Sequence, residues 1–184
     1  KLNKIISKGA TAENNSNNGW LGNIVIGYGF DPQEVRCRGS VDDVPGDVVV
    51  KGGSAYFSLS TTSAWEPLTD MWDLIIKRYY PSVSYVYLAI EHGTKLYLNT
   101  DTSGKHYNEK YLLDLCIPEK VFGKQIDTYE FYEDLEELLA DLKQLTGKRF
   151  ENIEKAVDFL RNKVEGVEED WIIAIGEFTA GDEE

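Results

Sequence analysis

Between residues 68 and 79 the apolar side chains Leu68, Met71, Trp72, Ile75, Ile76 and Tyr79 recur at i, i+3, i+4, i+7, i+8 and i+11, which is one continuous face of a helix. Pro67 suits the first helical turn, where a missing N–H costs nothing, and Pro81 ends the run. Two more stripes follow late in the chain. Leu135, Leu138, Leu139, Leu142 and Leu145 fall on one side of a helix, as do Phe150, Ile153, Val157, Leu160 and Val164, with Gly147 at the break between them. Each of these helices packs by one face.

The remaining apolar runs are short or alternate, and they predict strands. "NKIISKG" (3–9) is a short edge strand, followed by a polar loop, "AENNSNNG". "WLGNIVIGYGF" (20–30) is expected to be a strand. Its Gly-Tyr-Gly-Phe lacks the spacing of a glycine-rich phosphate loop, and no helix is expected after it to offer an N-terminus. Residues 31–53 form loop with one hairpin, and in "SAYFSLSTTSAW" Phe57 and Leu59 alternate with small hydroxyl residues as in a half-buried strand. "SVSYVYLAI", "EHGTK" and "LYLN" make strand, turn and returning strand. "YLLDLCI" is a short strand or a turn of helix, and "WIIAIGEF" (171–178) closes as a strand before the tail "TAGDEE". No internal repeat is present. The sequence of elements is α+β, a mostly antiparallel core with one packed helix over 1–126. A helical extension over 127–184 adds a last strand that pairs back into the core, so that the whole is one compact unit.

Charge sharpens this division. Residues 1–126 carry 14 acidic and 13 basic side chains, whereas 127–184 carry 18 acidic and 6 basic, so nearly all of the net charge of −13 belongs to the last third. Such an asymmetry argues against nucleic acid or an anionic membrane as a partner of that part, and points to a basic partner or to solubility alone. The 42% hydrophobic and 12% aromatic content over 184 residues is that of a chain able to bury a core, and no apolar run approaches the length needed to span a bilayer. Cys37 and Cys116 form no CxxC pattern; two reduced thiols in a cytoplasmic protein are expected, with a single disulfide as the alternative. The chain begins at Lys1 rather than Met, which leaves a cleaved signal peptide open.

An Asn-x-apolar strand ending in Gly (Asn3 to Gly9), then Phe57, Thr61, Ala64, Trp65 and Pro67 in "F-x-x-x-T-x-x-A-W-x-P", then the helix leading into "YYPSVSYVYLAIEHG", resembles the YubB-like domain of plasmid and phage proteins. The likeness covers about residues 1–100 and is dense over 55–93. It implies a ferredoxin-like fold, with Trp65 packed to lock the strand-to-helix corner and Trp72 facing the sheet. It implies no catalytic residues, and the acidic helical pair lies outside it.

Candidate chemistry is sparse. Glu91, His92, Asp101 and His106 are the only grouping suggestive of a metal, yet adjacent strand residues point to opposite faces, so they are expected to be exposed turn residues. No nucleophile elbow is present and no catalytic constellation is evident, which makes a non-enzyme the expectation. Tyr79, Tyr80, Tyr85, Tyr87 and Tyr97 with Lys77, Arg78 and Lys95 could form a stacking platform for single-stranded nucleic acid, the alternative reading. The leading one rests on Glu130, Glu133, Asp134, Glu136, Glu137 and Asp141, a run with no intervening Lys or Arg. It expects a non-enzymatic protein of a mobile element that binds a basic protein through this surface. In its sharpest form the protein is a nucleic-acid-mimicking inhibitor of a host defence system. No cofactor, metal or membrane enters this reading.

Overall fold

The helix expected around residues 68–79 forms, and its apolar face organises the first half of the molecule. The computed structural model describes residues 19–42 and 47–181; the strand expected at 3–9 and most of the loop after it lie outside these. The architecture is mixed α+β, with small antiparallel sheets and several helices. Contacts divide the chain into two compact units, one ending at Tyr85 and the other starting at Val86.

In the first unit, α1 (Leu21–Gly27) is followed by β1 (Gly39–Val41), β2 (Val49–Lys51), β3 (Ser54–Tyr56), β4 (Thr61–Ser63) and α2 (Thr69–Tyr79). β1 pairs antiparallel with β4, and β2 and β3 form the hairpin expected within 31–53, extended slightly beyond it. Leu21, Ile24, Val25 and Tyr28 from the α1 region meet Met71 and Ile75 of α2 in a core that also takes in Cys37 and Val41. Tyr28 and Tyr80 share a 2.9 Å hydroxyl contact, and the Tyr79 hydroxyl donates to the Tyr28 carbonyl at 2.7 Å.

Two expectations are corrected here. The run 20–30 is a helix at Leu21–Gly27 rather than a strand. Its apolar residues Leu21, Ile24, Val25 and Tyr28 also satisfy i, i+3, i+4, i+7, so a short buried run fits either period and packing against α2 decides. Gly22 permits this because the ring of Trp20 lies where a Cβ would be. Trp65 does not lock the corner by packing: it is 73% exposed, with a left-handed φ of 74°. Trp72 is half-buried against the core of this unit. The corner is tied by polar groups instead, with the Ser63 hydroxyl donating to the Glu66 carbonyl and Arg36 bridging Glu66 and Asp70.

In the second unit, β5 (Leu88–Glu91) and β6 (Leu96–Asn99) form the expected hairpin. β7 (Tyr111–Ile117), a strand and not a helical turn, is the middle of a three-stranded antiparallel sheet. Its neighbours are β8 (Ile126–Tyr132) and β9 (Ile172–Glu177), and α3 (Glu119–Phe122) is a single turn between β7 and β8. Leu113, Leu115 and Ile117 share one face of β7 and pack with Leu138 and Leu142 of α4 (Leu135–Thr146) and with Ala156, Leu160 and Val164 of α5 (Ile153–Val164). Of the two stripes, Leu138, Leu142, Leu160 and Val164 are fully buried in this core and Leu135, Leu139, Leu145, Phe150 and Ile153 partly so, while Ala156 and not Val157 enters it; Gly147 ends α4 with φ of 75°.

Leu112, Asp114 and Cys116 alternate to the other face, where the hairpin lies: the ring of Tyr97 sits where a Cβ at Gly176 would be. Across all described residues the strands fall into four small sheets rather than the single core sheet expected over 1–126. The thiols of Cys37 and Cys116 are free, and among the described residues no helix is long and apolar enough to cross a membrane.

Candidate protein-binding surface

The six carboxylates singled out by sequence gather at the corner where β8 turns into α4, although not all on a helix. Glu130 lies on β8, exposed, opposite Leu113. Glu133 stands in the turn, where the Asn108 amide donates to it. Asp134 caps α4, accepting the Glu137 N–H at 2.9 Å, so this side chain has a folding role of its own. Glu136 and Glu137 occupy the first turn, exposed, where the helix dipole favours negative charge. Asp141, one turn on and half-buried, accepts the Tyr132 hydroxyl at 2.8 Å.

None of the six takes part in an ion pair among the described residues. Between Lys124 and Lys143 the chain has no Lys or Arg, so the corner is bracketed by cations but not neutralised by them within its own sequence. Beside it, Thr128, Glu130 and Tyr132 of β8 and Asp141, Gln144 and Leu145 of α4 line an open groove of about 270 Å³. Tyr132 reports on this environment: burial pushes its ionisation well above the usual phenol range. Its bond to Asp141 and the charges of Asp141, Glu130 and Glu137 push the same way.

The other side of β8 is different in kind. Tyr129 and Phe131 alternate to the opposite face, 51% and 38% exposed, with their rings edge to face at 5.4 Å. Phe131 stacks in turn on Phe178. In the sequence the signal for this strand lies in "IDTYEFY", where five of the seven residues are β-branched or aromatic.

The remaining candidates resolve otherwise. His92 is not a free turn residue, since its Nε2 lies 3.0 Å from Asp114 Oδ2 and its Nδ1 lies 3.2 Å from the Tyr97 hydroxyl, which joins hairpin to sheet. Glu91 accepts the Gly93 N–H in the turn. Asp101, only 6% exposed, accepts the Ser103 hydroxyl and the N–H groups of Ser103, His106 and Tyr107. These bonds hold its carboxyl well below the usual range against the opposing effect of desolvation, the Ser103 hydroxyl being the largest contributor. Among the described residues no group of three or more His, Cys, Asp or Glu is placed to hold a metal.

The five tyrosines of the stacking reading do not line one sheet face. Tyr79 lies on α2, Tyr80 caps it, Tyr85 and Tyr87 stand outside any strand, and Tyr97 is buried on β6. Lys77 is paired to Asp73 at 2.7 Å, and Arg78 lies over the Phe30 ring.

Compared with protein-family models, with curated proteins and with solved structures, the chain finds no match in any of the three.

Proposed function

We propose that the protein acts by binding rather than by catalysis, taking a basic protein partner onto the acidic corner formed by β8 and the start of α4. The observation that carries this reading is the set of six carboxylates, Glu130 to Asp141, with no ion pair among the described residues. Exposed carboxylates without an ion pair, here Glu130, Glu136 and Glu137, repel one another and contribute little to folding, whereas a complementary cationic surface gains both affinity and speed of encounter from them. The resemblance of about residues 1–100, dense over 55–93, to YubB-like domains supports a mobile-element origin. In that setting an inhibitor that imitates the charge of nucleic acid, and so occupies a nucleic-acid-binding defence protein, is the sharpest form of the reading.

The test is capture of a basic partner from host lysate, with a charge-neutralised variant as control. Glu130→Gln, Glu133→Gln, Glu136→Gln and Glu137→Gln combined remove four charges; an amide oxygen at 133 still accepts from the Asn108 amide, and Asp134 and Asp141, whose carboxylates accept internal hydrogen bonds, are spared. The variant should unfold within about 1 kcal/mol of the parent, since exposed charges are worth little. Its capture of the partner should fall sharply, and that of the parent should weaken between 0.1 and 1 M salt as the screening length drops from about 10 to about 3 Å. Recovery of no basic protein, or capture indifferent to salt and to the four substitutions, would overturn the reading. Capture of single-stranded nucleic acid in place of a basic protein would equally overturn it.

A further inference from the structure

β8 is an outer strand of its sheet, paired with β7 on one side only. Among the described residues no backbone group pairs with it from the other side. Over its seven residues, about 3.3 Å each and roughly 23 Å in all, every second residue turns its N–H and C=O away from β7 to an unpaired edge, the kind that accepts an added strand. Its two faces carry different chemistry. Toward α4, Glu130 and Asp141 line the groove; on the opposite face, Tyr129 and Phe131 present exposed rings.

We infer that the partner is bound as an extended segment added to the free edge of β8, with basic side chains at every second position and apolar ones between. This rests on the acidic corner being the binding surface and supplies its geometry. A strand added here must send successive side chains to opposite faces. Lys or Arg on one face would meet Glu130 and Asp141, and apolar side chains on the other would cover Tyr129 and Phe131, while main-chain hydrogen bonds would supply sequence-independent affinity. Charge selects this occupant over the alternatives. A second copy of the chain would bring two sets of Glu130 and Asp141 into one groove, and a wholly apolar strand would desolvate those carboxylates without pairing them.

The experiment uses the full chain and two synthetic octapeptides of equal composition, one alternating Lys and Val, the other four Lys followed by four Val. At low ionic strength the alternating peptide should bind at least about tenfold tighter. In its complex the amides of residues 126–132 should exchange more slowly, and Glu130→Lys or Tyr129→Ser should each weaken it. If the block peptide binds equally well, or the β8 amides exchange unchanged in the complex, cationic charge is held without strand addition. The inference then fails while the acidic corner remains a binding surface. Binding of neither peptide also overturns the inference and leaves the capture experiment above to decide the broader reading. A chain that sediments as a dimer with its β8 amides already protected, and that the peptide does not dissociate, places a second copy on the edge and equally overturns it.

Discussion

Trp65 shows how little a residue's type fixes its place. A tryptophan at a strand-to-helix corner is expected to be a packing anchor, yet here the ring is in solvent and the backbone is in the left-handed region that costs a bulky residue about 1 kcal/mol or more. Trp65→Gly relieves that conformation and gives up little buried area. It should therefore leave the denaturation midpoint unchanged or raise it, where loss of a packed tryptophan would cost about 3–5 kcal/mol. A fall of that size in urea unfolding would restore the anchor role. Asp101 makes the opposite case, a plain acidic residue in a turn that organises a loop by accepting four hydrogen bonds. Its carboxyl lies below the usual 3.8 in the folded chain. Its contribution is therefore present at neutral pH and is lost as the pH falls below the ordinary carboxylate range, toward the folded value. Protection of the Ser103, His106 and Tyr107 amides, taken relative to the intrinsic exchange rate at each pH, should fall over that acid range in the parent. With Asp101→Asn protection should be lower already at neutral pH and should not fall further in acid. Exchange that is identical in the two proteins at every pH would remove Asp101 from this role.

Long amphipathic helices were legible because their evidence accumulates: eleven or twelve residues of consistent period at α2, α4 and α5 leave no competing reading. Short elements carry less information. At α1 the same apolar residues suit a strand and a helix, and only contact with Met71 and Ile75 chooses between them. β8 was hidden differently, because its acidic and aromatic residues look like the approach to a charged helix until β7 pairs with them. The face of β9 that meets the hairpin was not legible at all, since nothing local marks Gly176 as the seat of the Tyr97 ring. Gly176→Ala should therefore destabilise the protein by about 1–3 kcal/mol through overpacking. Combining it with Tyr97→Ala, which vacates the space, should cost less than the sum of the two single changes. Additive losses in thermal unfolding would show that the ring and the glycine do not press on each other.

On the scale of the whole molecule, charge and packing draw their boundaries at different places. The acidic excess begins at 127, whereas contacts divide the chain after Tyr85. The difference follows from what each quantity measures. Charge sits on exposed positions and can change anywhere along the surface without disturbing the fold, but a core must be closed by whichever strands border it. Here β7, from the nearly neutral stretch, lies between β8 and β9 and supplies Leu113, Leu115 and Ile117 to the same core as Leu138, Leu142 and Leu160. Residues 86–184, roughly 100 in all, hold a complete set of paired strands and covering helices, within the size range of independent domains. Expressed alone, they should show one cooperative urea transition and retain binding of the alternating basic peptide. Residues 127–184 alone lack the middle strand, leaving β8 and β9 unpaired and one face of each helix uncovered; they should show neither the transition nor the binding. If the shorter piece unfolds cooperatively, or the longer one does not, the core does not depend on β7 in the way its position between β8 and β9 requires.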